Sequence, residues 1–255
     1  MGENSTINGD MENTPLKSDE SSSVVATRQQ NDLLILKDLM TKKFTNDTCT
    51  WKKEWYSDAL VCRLLSRYKT VPDTHKKLVQ YFDWRHKENI DEISPADPEL
   101  SAVFDQCSGV NVILEDFRDR QGRPVMIVNT AGQRGNWSLT DKLYKRAMYY
   151  IEEMCRRCDE TEDSRGTFTL IFNLKNWGYA NIDVPFLYCY ARTLGNFYME
   201  RIGVILVVNY PYGVFPMWSV GKYVLSAQVR QKFVFCGRRE LNEYVDVDNM
   251  PVKLF

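Results

Sequence analysis

An α/β fold is expected from this chain, with a small N-terminal helical module followed by a lobe built on a mixed, mainly parallel sheet. Three observations predict it. Apolar side chains recur at helical spacing from about residue 27 to residue 89. Beyond residue 108, short apolar runs alternate with long amphipathic stretches, and strands separated by helices pair in parallel. The run Ile202–Val208 is so continuously apolar that both of its faces must be covered, as in the middle of such a sheet. The organisation that follows is a disordered tail over 1–27, a helical module with its linker over 28–108, and an α/β lobe over 109–255.

Composition narrows the function. The 255 residues (29.8 kDa) carry 33 Lys and Arg against 34 Asp and Glu, so no net field draws the chain onto nucleic acid, and no nucleic-acid partner is expected. Two histidines, His75 and His86, argue against a His-rich metal centre. No apolar run approaches the ~18 residues of a membrane span, and the first thirty residues hold no apolar stretch that would make a secretory signal. Seven cysteines, an odd number without such a signal, read as reduced thiols. A cytoplasmic monomer is the expectation.

The tail, residues 1 to about 27, is rich in Asn, Ser, Asp, Glu and Thr and has too little apolar surface to offset the entropy of ordering. Its opening, Met1-Gly2 with Thr6, formally fits the N-myristoylation pattern, which Glu3 disfavours. Leu33, Leu36, Leu39, Met40 and Phe44 form the stripe of a first helix. Trp51 and Trp55 lead into a second with Leu60, Leu64 and Leu65, and Pro72 opens a third carrying Leu78, Tyr81, Phe82 and Arg85. Pro95 and Pro98 mark 91–100 as linker.

The lobe begins with Val110–Phe117 and Pro124–Val128 as two strands around the turn Asp119–Arg123. Ser138 with Asp141 resembles a capping box, opening a helix with Leu143, Ala147, Ile151, Met154, Cys155 and Cys158 on one side. Thr167–Phe172 is a strand, Asp183 and Pro185 open a helix to about Glu200, and Ile202–Val208 is the central strand. Residues 214–232 are helical, Phe233–Cys236 is a short strand, and a helical segment precedes Pro251.

No Walker loop, G-x-G-x-x-G, G-x-S-x-G or H-E-x-x-H motif is present. The pair Cys155-Arg-Arg-Cys158 sits at the C-terminal end of a helix, where the dipole opposes a thiolate, and no second pair completes a zinc site. Core-facing cysteines are the better reading. No catalytic centre emerges, so the chain reads as not an enzyme, with no cofactor beyond a bound ligand.

The hairpin Asp119-x-x-Gly122-Arg123-Pro124-Val125, the strand Phe168–Phe172 with Leu174, the block Tyr198-Met-Glu200-Arg201-Ile202-Gly203, Asn209-Tyr-Pro211 with Phe215, Lys232–Gly237 and Met250-Pro251 occur in one order over the second half. Upstream stand Arg63-Leu-Leu-Ser-Arg67-Tyr and Asp83-Trp84-Arg85. In these residues the chain resembles the CRAL-TRIO (Sec14-like) lipid-binding family over about residues 50 to 255. The resemblance implies a sheet flooring an apolar pocket closed by a mobile gate helix. It also implies a ligand that is one lipid-like molecule: phosphatidylinositol, phosphatidylcholine, or a tocopherol, retinoid or sterol relative.

In the family's phosphatidylinositol-binding branch a glutamate, a late-strand lysine and a basic pair hold the headgroup; Glu200, Lys232 and Arg67 match these positions. The partner of Arg67 is Tyr68 rather than a second base, Asn173 stands where an Asp is usual, and Val229 replaces a Thr. A 214–225 helix has two adjacent apolar rows, drawn from Val214, Phe215, Met217, Trp218, Val220, Gly221, Val224 and Leu225. That arc fits either a gate between pocket and bilayer or a helix buried between neighbours; the resemblance favours the gate, with Trp218 as its interface anchor. The expected activity is to bind one lipid and transfer or present it between membranes, with transient membrane association. An adaptor that uses the fold to bind proteins such as small GTPases is the alternative; an intact lined cavity favours the carrier, one filled with bulky side chains the adaptor.

Overall fold

The structure is a computed structural model that describes residues 18–46, 52–101, 111–114, 116–130, 139–160, 166–198, 200–223 and 225–255. The myristoylation pattern, Trp51, Ser138 and Val224 lie outside the described residues. The chain forms two units, Met1–Phe82 and Asp83–Phe255.

In the first unit, helix α1 (Ser18–Asn46), α2 (Asp58–Tyr68) and the start of α3 (Val71–Glu88) bury Leu36, Met40, Val61, Leu64, Leu78 and Phe82. Trp55 stacks on Phe82 at 6.0 Å and Phe44 meets it edge-on at 5.5 Å. Ser57 caps α2 by accepting the Leu60 N–H, and Thr70 does the same for Asp73 at the head of α3. α1 begins at Ser18, inside the stretch read from sequence as tail. Extending a formed helix gains one hydrogen bond per residue fixed, and Asp19 and Glu20 carry the charge that suits an N-terminal end.

The second unit starts at Asp83, well before the boundary at 108/109 expected from sequence, because the end of α3 packs into it. The Trp84 ring stacks on Phe197 at 4.3 Å. Arg85, almost wholly buried, donates to Asp91 (Nη2–Oδ1 2.5 Å) and to Glu152 (Nη1–Oε1 2.9 Å), and the Tyr198 hydroxyl donates to the same Glu152. Leu100, within the stretch read as linker, is buried as well.

Five strands follow in the spatial order β1 (Asn111–Ile113), β2 (Val125–Asn129), β3 (Phe168–Asn173), β4 (Ile202–Val208) and β5 (Phe233–Phe235). β1 pairs antiparallel with β2, and the remaining pairs are parallel. The crossovers are α4 (Thr140–Asp159), α5 (Val184–Phe197), and the pair α6 (Val214–Gly221) and α7 (Ala227–Arg230); α8 (Arg238–Leu241) follows β5. Asp183 caps α5 by accepting the Phe186 N–H at 3.0 Å. The residue before α4 is Leu139, which makes no capping bond.

The β1–β2 turn is organised by the buried Asp119. Its Oδ1 accepts the Gln121 and Arg123 N–H groups, and its Oδ2 accepts Arg123 Nε and Thr169 Oγ1 at 2.6 Å each. Gly122 takes φ 77°, a conformation that favours glycine. Gly203 also has a steric reason: a Cβ there would run into the Arg123 guanidinium.

β4 is covered on both faces, as its apolar run requires. Val204, Leu206 and Val208 pack with Ile127, Ile171 and the C-terminal segment through Cys236, Leu241, Val245 and Leu254. Ile202 and Ile205 turn the other way, toward α4 and α5.

Candidate functional site

Above that second face lies a cavity of about 820 Å³, the size of small-molecule sites. Its floor is a rung of paired residues across the sheet, Val128, Phe172, Val207 and Phe235, with Met126, Ile205 and Phe233 beside them. Leu143, Ala147 and Tyr150 of α4 form one wall and Phe186, Tyr190 and Leu194 of α5 another. The two walls are tied by the Tyr144 and Thr193 hydroxyls, 2.9 Å apart. Burial raises the Tyr144 hydroxyl above its ordinary range despite that bond, and raises Tyr190 for the same reason, so both stay neutral at any working pH.

The third wall is α6. Met217, Trp218 and Gly221 line the cavity, with Leu225 just beyond. The helix ends at Gly221, four residues short of the 214–225 span expected from sequence; the chain turns at 222–223, and Ser226 caps α7 by accepting the Val229 N–H. Eight residues cannot carry two full apolar rows, so the face is divided between helix and turn. Trp218 is half-buried, and its ring lies 4.8 Å from that of Phe233 and 5.3 Å from that of Phe235 on the floor. Phe215 is outside the lining and 42% exposed, packing edge-on to Tyr210 at 5.3 Å. Val184, Leu187 and Tyr188 both line the cavity and reach solvent, which puts its mouth between the first turns of α5 and α6.

The residues matched to a headgroup site do not line this cavity. Glu200 is half-buried in the turn before β4. Lys232 directly precedes β5, and its ammonium donates to the Ile202 carbonyl. Both therefore stand at the N-terminal ends of neighbouring strands, and Ile202 itself lines the cavity. Arg67 belongs to the first unit, on α2, with its guanidinium 5.4 Å from the Tyr68 ring.

Cys155 and Cys158 belong to the packed cluster behind α4, and burial pushes the Cys155 thiol up to about 12 even though Arg201 lies beside it. That is an inert core cysteine, not a redox group. His86 is exposed and His75 half-buried on α3; among the described residues no three His, Cys, Asp or Glu side chains gather as a metal site. Sequence reasoning missed Arg146 and Asp183, the charged residues of the cavity wall. The signal was there for the first: Arg146 stands at i+3 from Leu143, on the flank of an apolar stripe.

Comparison with known proteins bears on this geometry. The CRAL/TRIO domain family matches residues 106–254. A CRAL-TRIO domain-containing protein of Schizosaccharomyces pombe is 24% identical over 213 residues, which is 77% of this chain and 57% of the relative. The chain thus spans little more than half the length of that relative. The crystal structure of Sfh5 superposes with a TM-score of 0.61 at 16% identity, covering 91% of this chain and 85% of that one, a likeness of fold.

Proposed function

Because the chain belongs to the CRAL/TRIO domain family, we propose that its second unit takes one lipid-like molecule into the cavity and transfers or presents it between membranes. The single observation that carries this reading is the open apolar space of about 820 Å³ between sheet, α4, α5 and α6. An acyl chain of sixteen carbons costs about 13 kcal/mol to hold in water at ~0.8 kcal/mol per methylene, so transfer needs a cavity that replaces the bilayer interior. A cavity packed with side chains would have favoured the adaptor reading.

Helix α6 acts as the gate, since it forms one wall, borders the mouth with its first turn and ends at Gly221. The exposed Phe215 on its first turn, with Tyr212 and Tyr223 to either side of the helix, makes the transient contact with a cytoplasmic membrane surface, a placement that suits aromatic rings. Phosphatidylinositol or phosphatidylcholine is the expected ligand, with tocopherol, retinoid or sterol relatives as alternatives. Glu200 and Lys232, at the N-terminal ends of the neighbouring strands β4 and β5, hold an inositol headgroup in this reading. Lys232→Ala then weakens phosphatidylinositol binding by roughly 10- to 150-fold, the equivalent of ~1.5–3 kcal/mol for a charge-assisted hydrogen bond, and spares phosphatidylcholine. Equal losses for both lipids would instead mark a fold defect.

The test of the whole is mass spectrometry of organic extracts from purified protein, followed by titration with fluorescent phospholipids, sterols and isoprenoids. One ligand per chain is expected. No uptake of any of them would sink the carrier reading and leave the adaptor.

A further inference from the structure

We infer that the Tyr190 hydroxyl donates a hydrogen bond to a neutral carbonyl oxygen of the ligand, so that the cavity is built for an ester-bearing lipid rather than a plain hydrocarbon. This rests on the carrier reading and narrows it. Tyr190 is 9% exposed and stands in the α5 wall with Phe186 and Leu194 one helical turn to either side, all three lining the cavity. Its ring stacks on Phe186 at 5.6 Å with 15° between the planes, which holds the ring in place. The hydroxyl makes no hydrogen bond with any described residue, and burial alone acts on it. The nearby Tyr144 differs, since its hydroxyl meets that of Thr193. Buried tyrosine hydroxyls are normally partnered, so the partner of this one is to be sought in what fills the cavity.

Tyr190 lies inward of the mouth residues Val184, Leu187 and Tyr188, and about 9 Å along the helix from Val184. A ligand that fills the cavity therefore passes it below its exposed end. An alkyl chain laid over the hydroxyl would strip it of water and return nothing, which is costly for a buried polar group. A carbonyl oxygen accepts the proton and brings no charge into an apolar space. The other polar groups point to an acceptor as well: the Trp177 and Trp218 indoles of the lining carry donors only, and the Thr130 hydroxyl already donates to the Asn173 carbonyl. Arg146 and Asp183 have partners of their own and are not called upon. The position is separate from Glu200 and Lys232, which lie outside the lining.

The experiment binds methyl hexadecanoate, isotope-labelled at its carbonyl, to the purified full chain and reads the carbonyl band by infrared difference spectroscopy. Its affinity and that of octadecane are measured in parallel by displacement of dodecylpyrene. The bound band should lie below its position in hexane, as for a hydrogen-bonded ester. Tyr190→Phe removes one oxygen and keeps the ring. It should return the band to the hexane position and weaken the ester by about two- to tenfold, with octadecane bound as before and the urea midpoint not lowered. Tyr144→Phe should lower the urea midpoint and leave the lowered band in place. A band at the hexane position in the unaltered protein, or a lowered band that persists in Tyr190→Phe, would overturn the role of Tyr190 while leaving the carrier reading standing. A fall in the urea midpoint of Tyr190→Phe, or its failure to fold, would mark the hydroxyl as part of the fold and overturn the role equally. Uptake of neither dodecylpyrene, ester nor alkane would overturn the carrier reading as well.

Discussion

The two faces of the sheet are built from alternate residues of the same strands, and they end differently. On one, Ile127, Ile171, Leu206 and Val208 meet the C-terminal segment in close packing. On the other, Val128, Phe172 and Val207 look onto open space. Hydrophobicity does not separate them, because both faces are apolar. What differs is the cover: Leu241, Val245 and Leu254 lie directly on the first face, whereas α5 and α6 face the second across the cavity. The packed face supplies the cohesion, so the fold does not depend on close packing over the hollow one.

That contrast can be broken most severely at Leu206, which is wholly buried on the packed face. Leu206→Ala should cost about 2–5 kcal/mol in denaturant unfolding, as expected where a void is left behind, and should leave ligand affinity unchanged. The neighbouring valines make a cleaner test. Val208→Ala on the packed face should lose about 2 kcal/mol. Val207→Ala, the same change one residue away, should lose nearer 1 kcal/mol, because its methyls border space that is already empty. Equal losses at the two positions would show that the cavity closes in solution. Filling is the converse: Val207→Phe should alter stability by less than about 1 kcal/mol and clearly reduce uptake of a fluorescent lipid.

The smallest effect is alkaline. The Cys155 thiol is held neutral by burial up to about 12, against an ordinary value of 9.0, so the folded state keeps a proton the unfolded chain releases. Stability is then complete below about pH 9 and falls as pH rises toward 12. Cys155→Ala should flatten that decline in urea midpoints measured from pH 8 to 10. The exposed Cys62 and Cys189 should react with thiol reagents well before Cys155.

The contrast between the faces also marks what could be read from residues alone. Ile202–Val208 announced a strand covered on both sides, and Asp119 to Arg123 announced its turn, because apolar continuity and turn chemistry are local. Whether the cover touches the strand is not local: Val207 and Val208 are identical in sequence, and only the placement of distant helices makes one a cavity wall. The inward turn of Trp218 depends likewise on Phe233 and Phe235, contributed by a later strand. Trp84 and Arg85 were recognisable as a pair, but their attachment to Phe197 and Glu152 moved the unit boundary back to Phe82. The polar outlier Arg146 was visible and passed over, since an arginine beside an apolar stripe usually reaches for solvent with its stem packed below.

The order of the strands has a consequence for how the molecule is made. β2, β3, β4 and β5 join one after another through long parallel crossovers, so few sheet contacts are close in sequence and folding is expected to be slow. The cover of the packed face, residues 238–254, emerges from the ribosome only after all five strands. Until it does, Ile127, Ile171, Leu206 and Val208 form an open apolar surface on a nascent chain. The most cohesive part of the finished protein is therefore its most vulnerable part during synthesis, and the stage at which a chaperone is most needed.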